Sequence, residues 1–189
     1  VNSPAACVAL YAAAYAGVPY VPLHYRLTPP EIEALLARIT PAFLVADAQL
    51  LAGVKVPDGI HTVSREQFMA QAEQGDEVDV QADPSAVAVQ LFTSGTTGVP
   101  KAAVLRHENL MSYILGTVEF GAADEAEATL VAVPPYHIAG ISAVLSSTYA
   151  CRRMVQLSNF DGRAWLELCR SEGVSHAFVV PTMLSRVIE

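Results

Sequence analysis

Leu91-Phe92-Thr93-Ser94-Gly95-Thr96-Thr97-Gly98-Val99-Pro100-Lys101 is the stretch on which the reading of this chain turns. An apolar strand, expected from Ala86 to Phe92, runs straight into a loop with four hydroxyl side chains, two glycines and one lysine. Glycine lets the backbone curl until successive N–H groups face one concavity, hydroxyls add donors, and an ammonium on a flexible stem adds positive charge. That composition suits phosphate. It also suits an ordinary Ser/Thr/Gly-rich turn between two strands, and composition by itself leaves both readings standing. The pattern G-x-x-x-x-G-K-[ST] does not apply, because Pro100 precedes the lysine and Ala102 follows it. Ala102 to Leu105 reads as a second strand, so any phosphate would sit in a strand-loop-strand cradle without a helix N-terminus behind it.

Outward from the loop the chain alternates helix and strand. Ser3 and Pro4 supply an N-cap and a first-turn proline for an Ala-rich helix ending near Gly17, and Val18 to Leu23 reads as a buried strand. Thr28, Pro29, Pro30 and Glu31 announce a second helix with Ile32, Leu35, Leu36 and Ile39 on its apolar face, and Pro41 stops it. Ala42 to Ala46 is short and wholly apolar, the pattern of a strand covered on both faces. The same holds for Ala177 to Val180, after a helix from Arg163 to Glu172. Further strands are predicted at Thr129 to Val133 and Met154 to Leu157, and helices at His107 to Thr117 and Ile138 to Ala150. The expected fold is α/β, with mixed, largely parallel sheets flanked by helices. The polar interval from Gln71 to Pro84 marks the one boundary, giving a first α/β lobe over 1–83 and a second over 84–189 that carries the loop.

The chain has 189 residues, 52 % hydrophobic and 16 % charged, with a mean hydropathy of +0.35. Disorder and a disulfide-stapled scaffold are both excluded. A formal charge of −8 repels a polyphosphate backbone, so nucleic acid is not an expected partner, and an anionic ligand has to be held by local groups. Cys7, Cys151 and Cys169 form no C-x-x-C pair and lie in apolar stretches, so they read as small core residues of a reducing, cytoplasmic compartment. The uncharged N-terminal run is cut by Pro19 and Pro22 well short of the ~20 residues a membrane span needs. Acidic clusters at Asp76, Glu77, Asp79 and at Asp124, Glu125, Glu127 lack the glycine and terminal Glu of a calcium loop, and the five histidines show no zinc spacing.

Thr93 to Lys101, followed by His107, Asn109 and Leu110, resembles the T-S-G-T-T-G-x-P-K-G...H-x-N-L signature of the adenylate-forming superfamily, which includes acyl-CoA synthetases and peptide-synthetase adenylation domains. Gly17-Val18-Pro19-Tyr20-Val21-Pro22-Leu23, Pro134-Pro135-Tyr136-His137-Ile138-Ala139-Gly140 and Val180-Pro181-Thr182-Met183-Leu184 agree in order, so the resemblance spans essentially the whole chain. Ala102 departs from it, standing where the family usually has Gly.

The resemblance implies an acid–thiol ligase that uses ATP and Mg²⁺ to convert a carboxylic acid to acyl-AMP and then passes the acyl group to a thiol such as CoA, as in fatty acid metabolism. Thr93, Ser94, Gly95, Thr96, Thr97, Gly98 and Lys101 would hold the β- and γ-phosphates, with Thr93 also touching Mg²⁺. Tyr136 and His137 match the aromatic and histidine near the acyl carboxylate, as wall and as hydrogen-bond donor or gate. Pro22 to Thr28 looks like the P-L-N-x-R-L-T segment of acyl-CoA synthetases; an amino-acid adenylation domain and a non-catalytic nucleotide-binding or interaction module are the alternatives. Relative to the family, both lobes are expected to be incomplete, at the N-terminal and C-terminal ends respectively. The glutamate and lysine motifs of the complete enzyme do not occur, so the chain alone is expected to be inactive. Its uncovered apolar surface leaves a homodimer open.

Overall fold

The structure, a computed structural model, describes residues 1–75, 80, 83–93 and 100–188. Helix α1 (Pro4–Tyr15) starts as expected, the Ser3 hydroxyl accepting the Ala6 N–H at 3.3 Å, and Gly17 turns the chain at φ +66°. The strand expected at Val18 to Leu23 is only a single bridge. Tyr20 donates to the Ala88 carbonyl at 2.9 Å and accepts from Gln90 at 3.0 Å, and the prolines at 19 and 22 have no N–H with which to extend the ladder. In α2 (Pro29–Ile39), Glu31 reaches back to accept from both the backbone N–H and the hydroxyl of Thr28, each at 2.7 Å. Ile32, Leu35 and Leu36 are buried on its apolar face, Leu36 completely, a burial that contributes about 2 kcal/mol for one such side chain.

Strand β1 (Ala42–Ala46) pairs in parallel with β2 (Ile60–Ser64) across the short helix α3 (Ala48–Gly53), Ala42 lying opposite Ile60. The reading of β1 as covered on both faces does not hold. Leu44 packs with Ile32, Leu36 and Val54, but Phe43 is 59 % exposed; its face of the two-stranded sheet is covered at Val63 and open at Phe43. Helix α4 (Arg65–Ala72) follows, capped by Ser64.

Strands β3 (Val87–Thr93) and β4 (Lys101–Arg106) form an antiparallel pair, and β4 runs into α5 (His107–Thr117). Strand β5 (Ala128–Val131) is the middle of a parallel sheet ordered β6-β5-β7, with β6 (Arg153–Gln156) and β7 (His176–Ala177) on either side. Helix α6 (Ile138–Tyr149) links β5 to β6, and α7 (Gly162–Ser171) links β6 to β7 before α8 (Pro181–Ile188). Mixed and largely parallel pairing is thus what the chain adopts: β1·β2, β5·β6 and β5·β7 are parallel and β3·β4 is not. The buried strand expected over Ala177 to Val180 is shorter and more exposed. Among the described residues β7 is an edge strand bonded to β5 alone; Ala177 and Phe178 are exposed, and Val179 and Val180 leave the ladder to pack beside Met183.

One core joins α1 to the sheets. Leu10 packs with Val89 and Leu91 of β3, Val131 of β5 and Ile141 of α6. Asn2, 5 % exposed, donates its side-chain amide to the carbonyls of Val131 at 3.4 Å and Leu157 at 3.1 Å, tying the start of the chain to β5 and the end of β6. Of the cysteines, Cys7 and Cys169 are half-buried, but Cys151 is exposed, set in the left-handed region (φ 58°) where the chain turns off α6. No described helix is long and apolar enough to cross a membrane.

Candidate functional site

The loop is held at its neck. In the antiparallel register Phe92 faces Ala102 and Thr93 faces Lys101, so the last residue of β3 and the first of β4 close the ring from which the loop springs. The Thr93 hydroxyl donates to the Lys101 carbonyl at 3.3 Å, and both side chains are exposed. Ser94, Gly95, Thr96, Thr97 and Gly98, the other residues assigned to phosphate, lie outside the described residues. The strand-loop-strand reading agrees with the flanks: β4 is a strand where a helix-backed phosphate loop would begin a helix. His107 opens α5, and Asn109 Oδ1 accepts the Arg106 N–H at 2.9 Å, so the H-x-N-L segment forms a helix entry.

Sequence reasoning missed one residue at the neck. Arg38, in the last turn of α2, donates from Nη1 to the Pro100 carbonyl at 2.8 Å and lies with its guanidinium carbon 5.0 Å from the centre of the Phe92 ring. It is 62 positions from Pro100 in sequence, and nothing local signals that contact.

Tyr136 and His137 stand in a turn that leads into α6. His137 donates its N–H to Pro134 at 3.1 Å, and Gly140 donates back to His137 at 3.0 Å. A β-carbon on Gly140 would lie 2.5 Å from the Pro134 carbonyl oxygen, so only glycine lets the helix start this close to the turn. Tyr136 is half-buried and His137 exposed. The Tyr136 ring lies 4.0 Å from His24 and 4.7 Å from His137, centre to centre, with Tyr25 at 6.0 Å. His24, where the acyl-CoA synthetase pattern has Asn, is the second residue the sequence reading left out. Its Nδ1 accepts the Arg26 N–H at 2.9 Å, which leaves Nε2 to carry the proton of the neutral ring. Burial lowers the His24 pKa, and His137 and Arg26 push it the same way. Burial raises the Tyr136 phenol, as does Tyr25, so it stays protonated and can donate a hydrogen bond.

Tyr136 and His137 line a cavity of about 490 Å³ together with Arg26, Phe160, Phe178 and Met183. No Asp or Glu is among the described residues of its wall, although the chain as a whole is acidic. Thr93 and Lys101 are not among the described residues of that wall either. Among the described residues the neck offers Mg²⁺ the hydroxyl of Thr93, and no group of three His, Cys, Asp or Glu side chains suited to a metal occurs among them. One neutral oxygen fits a hard cation that takes most of its octahedral shell from phosphate and water.

Known proteins share this fold. The family described as AMP-binding enzyme matches residues 1–189. Feruloyl-CoA synthase from Amycolatopsis sp is 34 % identical, the match covering 98 % of this chain and 38 % of that protein. Among solved structures, ATP-bound MatB from Rhodopseudomonas palustris superposes with a TM-score of 0.80 at 26 % identity, over 100 % of this chain and 39 % of that one. O-succinylbenzoate coenzyme A synthetase from Bacillus subtilis, in complex with ATP and magnesium ion, does so with 0.76 at 25 % identity, over 99 % and 39 %. The chain thus spans about two fifths of the length of the proteins it matches.

Proposed function

The chain belongs to the AMP-binding enzyme family, and from that membership we propose that it supplies the phosphate grip and one wall of the acyl site of an AMP-forming acid–thiol ligase. The observation that carries the proposal is the closed neck: Thr93 opposite Lys101 at the base of a loop reading T-S-G-T-T-G-V-P-K. In the reaction a carboxylate oxygen attacks the α-phosphorus of ATP, the bond to the β-phosphate oxygen breaks, and pyrophosphate leaves as acyl-AMP forms. A thiolate then attacks the acyl carbon and AMP departs, giving the thioester. Charge builds on the departing pyrophosphate, so donors fixed beside it lower the barrier. Lys101 supplies the mobile positive charge there, and Thr93, Ser94, Thr96 and Thr97 the hydroxyls, with backbone N–H groups from Gly95 and Gly98. Thr93 would help hold Mg²⁺, which when bound would neutralise phosphate charge.

His137 donates a hydrogen bond to the substrate carboxylate, and Tyr136 forms the aromatic wall beside it. A cavity lined by Arg26 and His137 and, among the described residues, by no acid attracts a carboxylate that the −8 chain otherwise repels. The acyl acceptor is CoA, the substrate a carboxylic acid with an apolar body, and the setting cytoplasmic.

Titration of the chain with MgATP, followed calorimetrically, tests the phosphate grip: saturable binding that pyrophosphate displaces is expected, and no heat of binding for either anion would overturn it. Pyrophosphate exchange by the chain alone should stay at background with every carboxylic acid tried, amino acids included.

A further inference from the structure

We propose that Arg38 is a positioning residue for the phosphate loop, clamping both of its flanks to helix α2. The inference rests on the phosphate-grip reading and adds the part that keeps the grip in shape. Phe92 is the penultimate residue of β3 and Pro100 the residue just before β4, so the two groups that Arg38 touches lie on opposite sides of the neck. Pro100 precedes the first ladder pair, Thr93 with Lys101, and its carbonyl takes its bond from the Arg38 guanidinium at 2.8 Å. The same planar group lies against the Phe92 ring, within the ~6 Å range of a cation–π contact.

Behind the guanidinium is a firm support. Ile32, Leu35 and Leu36 hold α2 to its core, and the positive group at the last turn of that helix also faces its negative dipole end. A guanidinium can lie flat on a ring and donate from its edge at the same time. An ammonium is a compact point charge and cannot do both. The clamp therefore depends on shape as well as charge.

The test uses Arg38→Ala, Arg38→Lys and Arg38→Met in the same chain, with three readouts. MgATP and pyrophosphate affinities are measured calorimetrically, tryptic cleavage after Lys101 is timed without nucleotide against cleavage after Lys55, and thermal unfolding controls for folding. Loss of one charge-assisted bond and one ring contact should weaken both anions roughly fivefold or more in the alanine and methionine variants. Cleavage after Lys101 should speed up several-fold in both, with the unfolding midpoint little changed. Arg38→Lys should resemble the alanine variant. Full rescue by lysine would reduce Arg38 to a charge and overturn the clamp, as would unchanged affinity and unchanged cleavage in the alanine variant. If alanine unfolds the chain, the methionine variant, which keeps the stem, decides the matter. If the unsubstituted chain binds neither anion, the phosphate-grip reading fails, and the cleavage rates alone decide whether Arg38 holds the neck.

Discussion

At the neck, Thr93 and Lys101 are fixed by ladder bonds between β3 and β4 and their side chains stand in solvent; at the wall, Tyr136 is fixed by ring packing against His24 and by a turn that only Gly140 permits. The first arrangement separates chemistry from folding, since the backbone makes the shape and the side chains are free for a ligand. The second merges them, because the contacts that place Tyr136 are also contacts that hold the protein together. Substitutions should therefore cost binding at the neck and stability at the wall.

The largest effect belongs to the wall. Gly140→Ala drives a methyl into the Pro134 carbonyl, a backbone atom that cannot swing aside, and should lower stability by about 3 kcal/mol, read as a fall of several degrees in the unfolding midpoint. An unchanged midpoint would break the contrast at its strongest point. Next comes Lys101→Met at the neck, which should weaken MgATP binding by roughly tenfold, the loss of one charge-assisted bond, while the midpoint stays put because the ladder does not use the ammonium. A midpoint that fell with the affinity would show that neck and fold are not separable after all. Tyr136→Leu should cost about 1 kcal/mol through the lost ring contacts with His24 and His137, without altering MgATP affinity.

The smallest effect sharpens the wall's side. Burial, with His137 and Arg26 nearby, lowers the His24 pKa, so the folded state resists its protonation. Its contribution to stability is complete above the ordinary value of 6.5 and declines as pH falls from there toward the lowered value, while the unfolded chain takes up the proton first. Unfolding midpoints between pH 7.5 and 5 should fall less steeply in His24→Asn than in the parent. Equal slopes would remove His24 from the wall's electrostatics.

What could be read from the sequence follows the same division. Local rules decided the Thr28–Glu31 cap, the apolar face of α2 and the strands on either side of the loop, because each depends on neighbours within a few positions. Arg38 and His24 were invisible. Their partners, Pro100 and Tyr136, are far along the chain, and a lone arginine at a helix end has an adequate local explanation in the helix dipole. The strand expected at 18 to 23 failed for a reason the sequence also held, two prolines without donors, whose meaning depended on Tyr20 being paired to β3 from one side only. Phe43, Phe178 and Cys151 were assigned to the interior on apolarity alone; whether a second layer covers an apolar residue depends on partners that no local pattern specifies.

Asn2 has a consequence for the order in which the molecule assembles. Its amide is satisfied by carbonyls at positions 131 and 157, and the helix behind it rests on strands that begin near position 87. During synthesis at about 5–20 residues per second, those acceptors emerge roughly 6 to 28 seconds after the end of α1. For that interval the Asn2 amide has water alone for a partner, and α1 completes its docking when β5 and the residue after β6 come to hand.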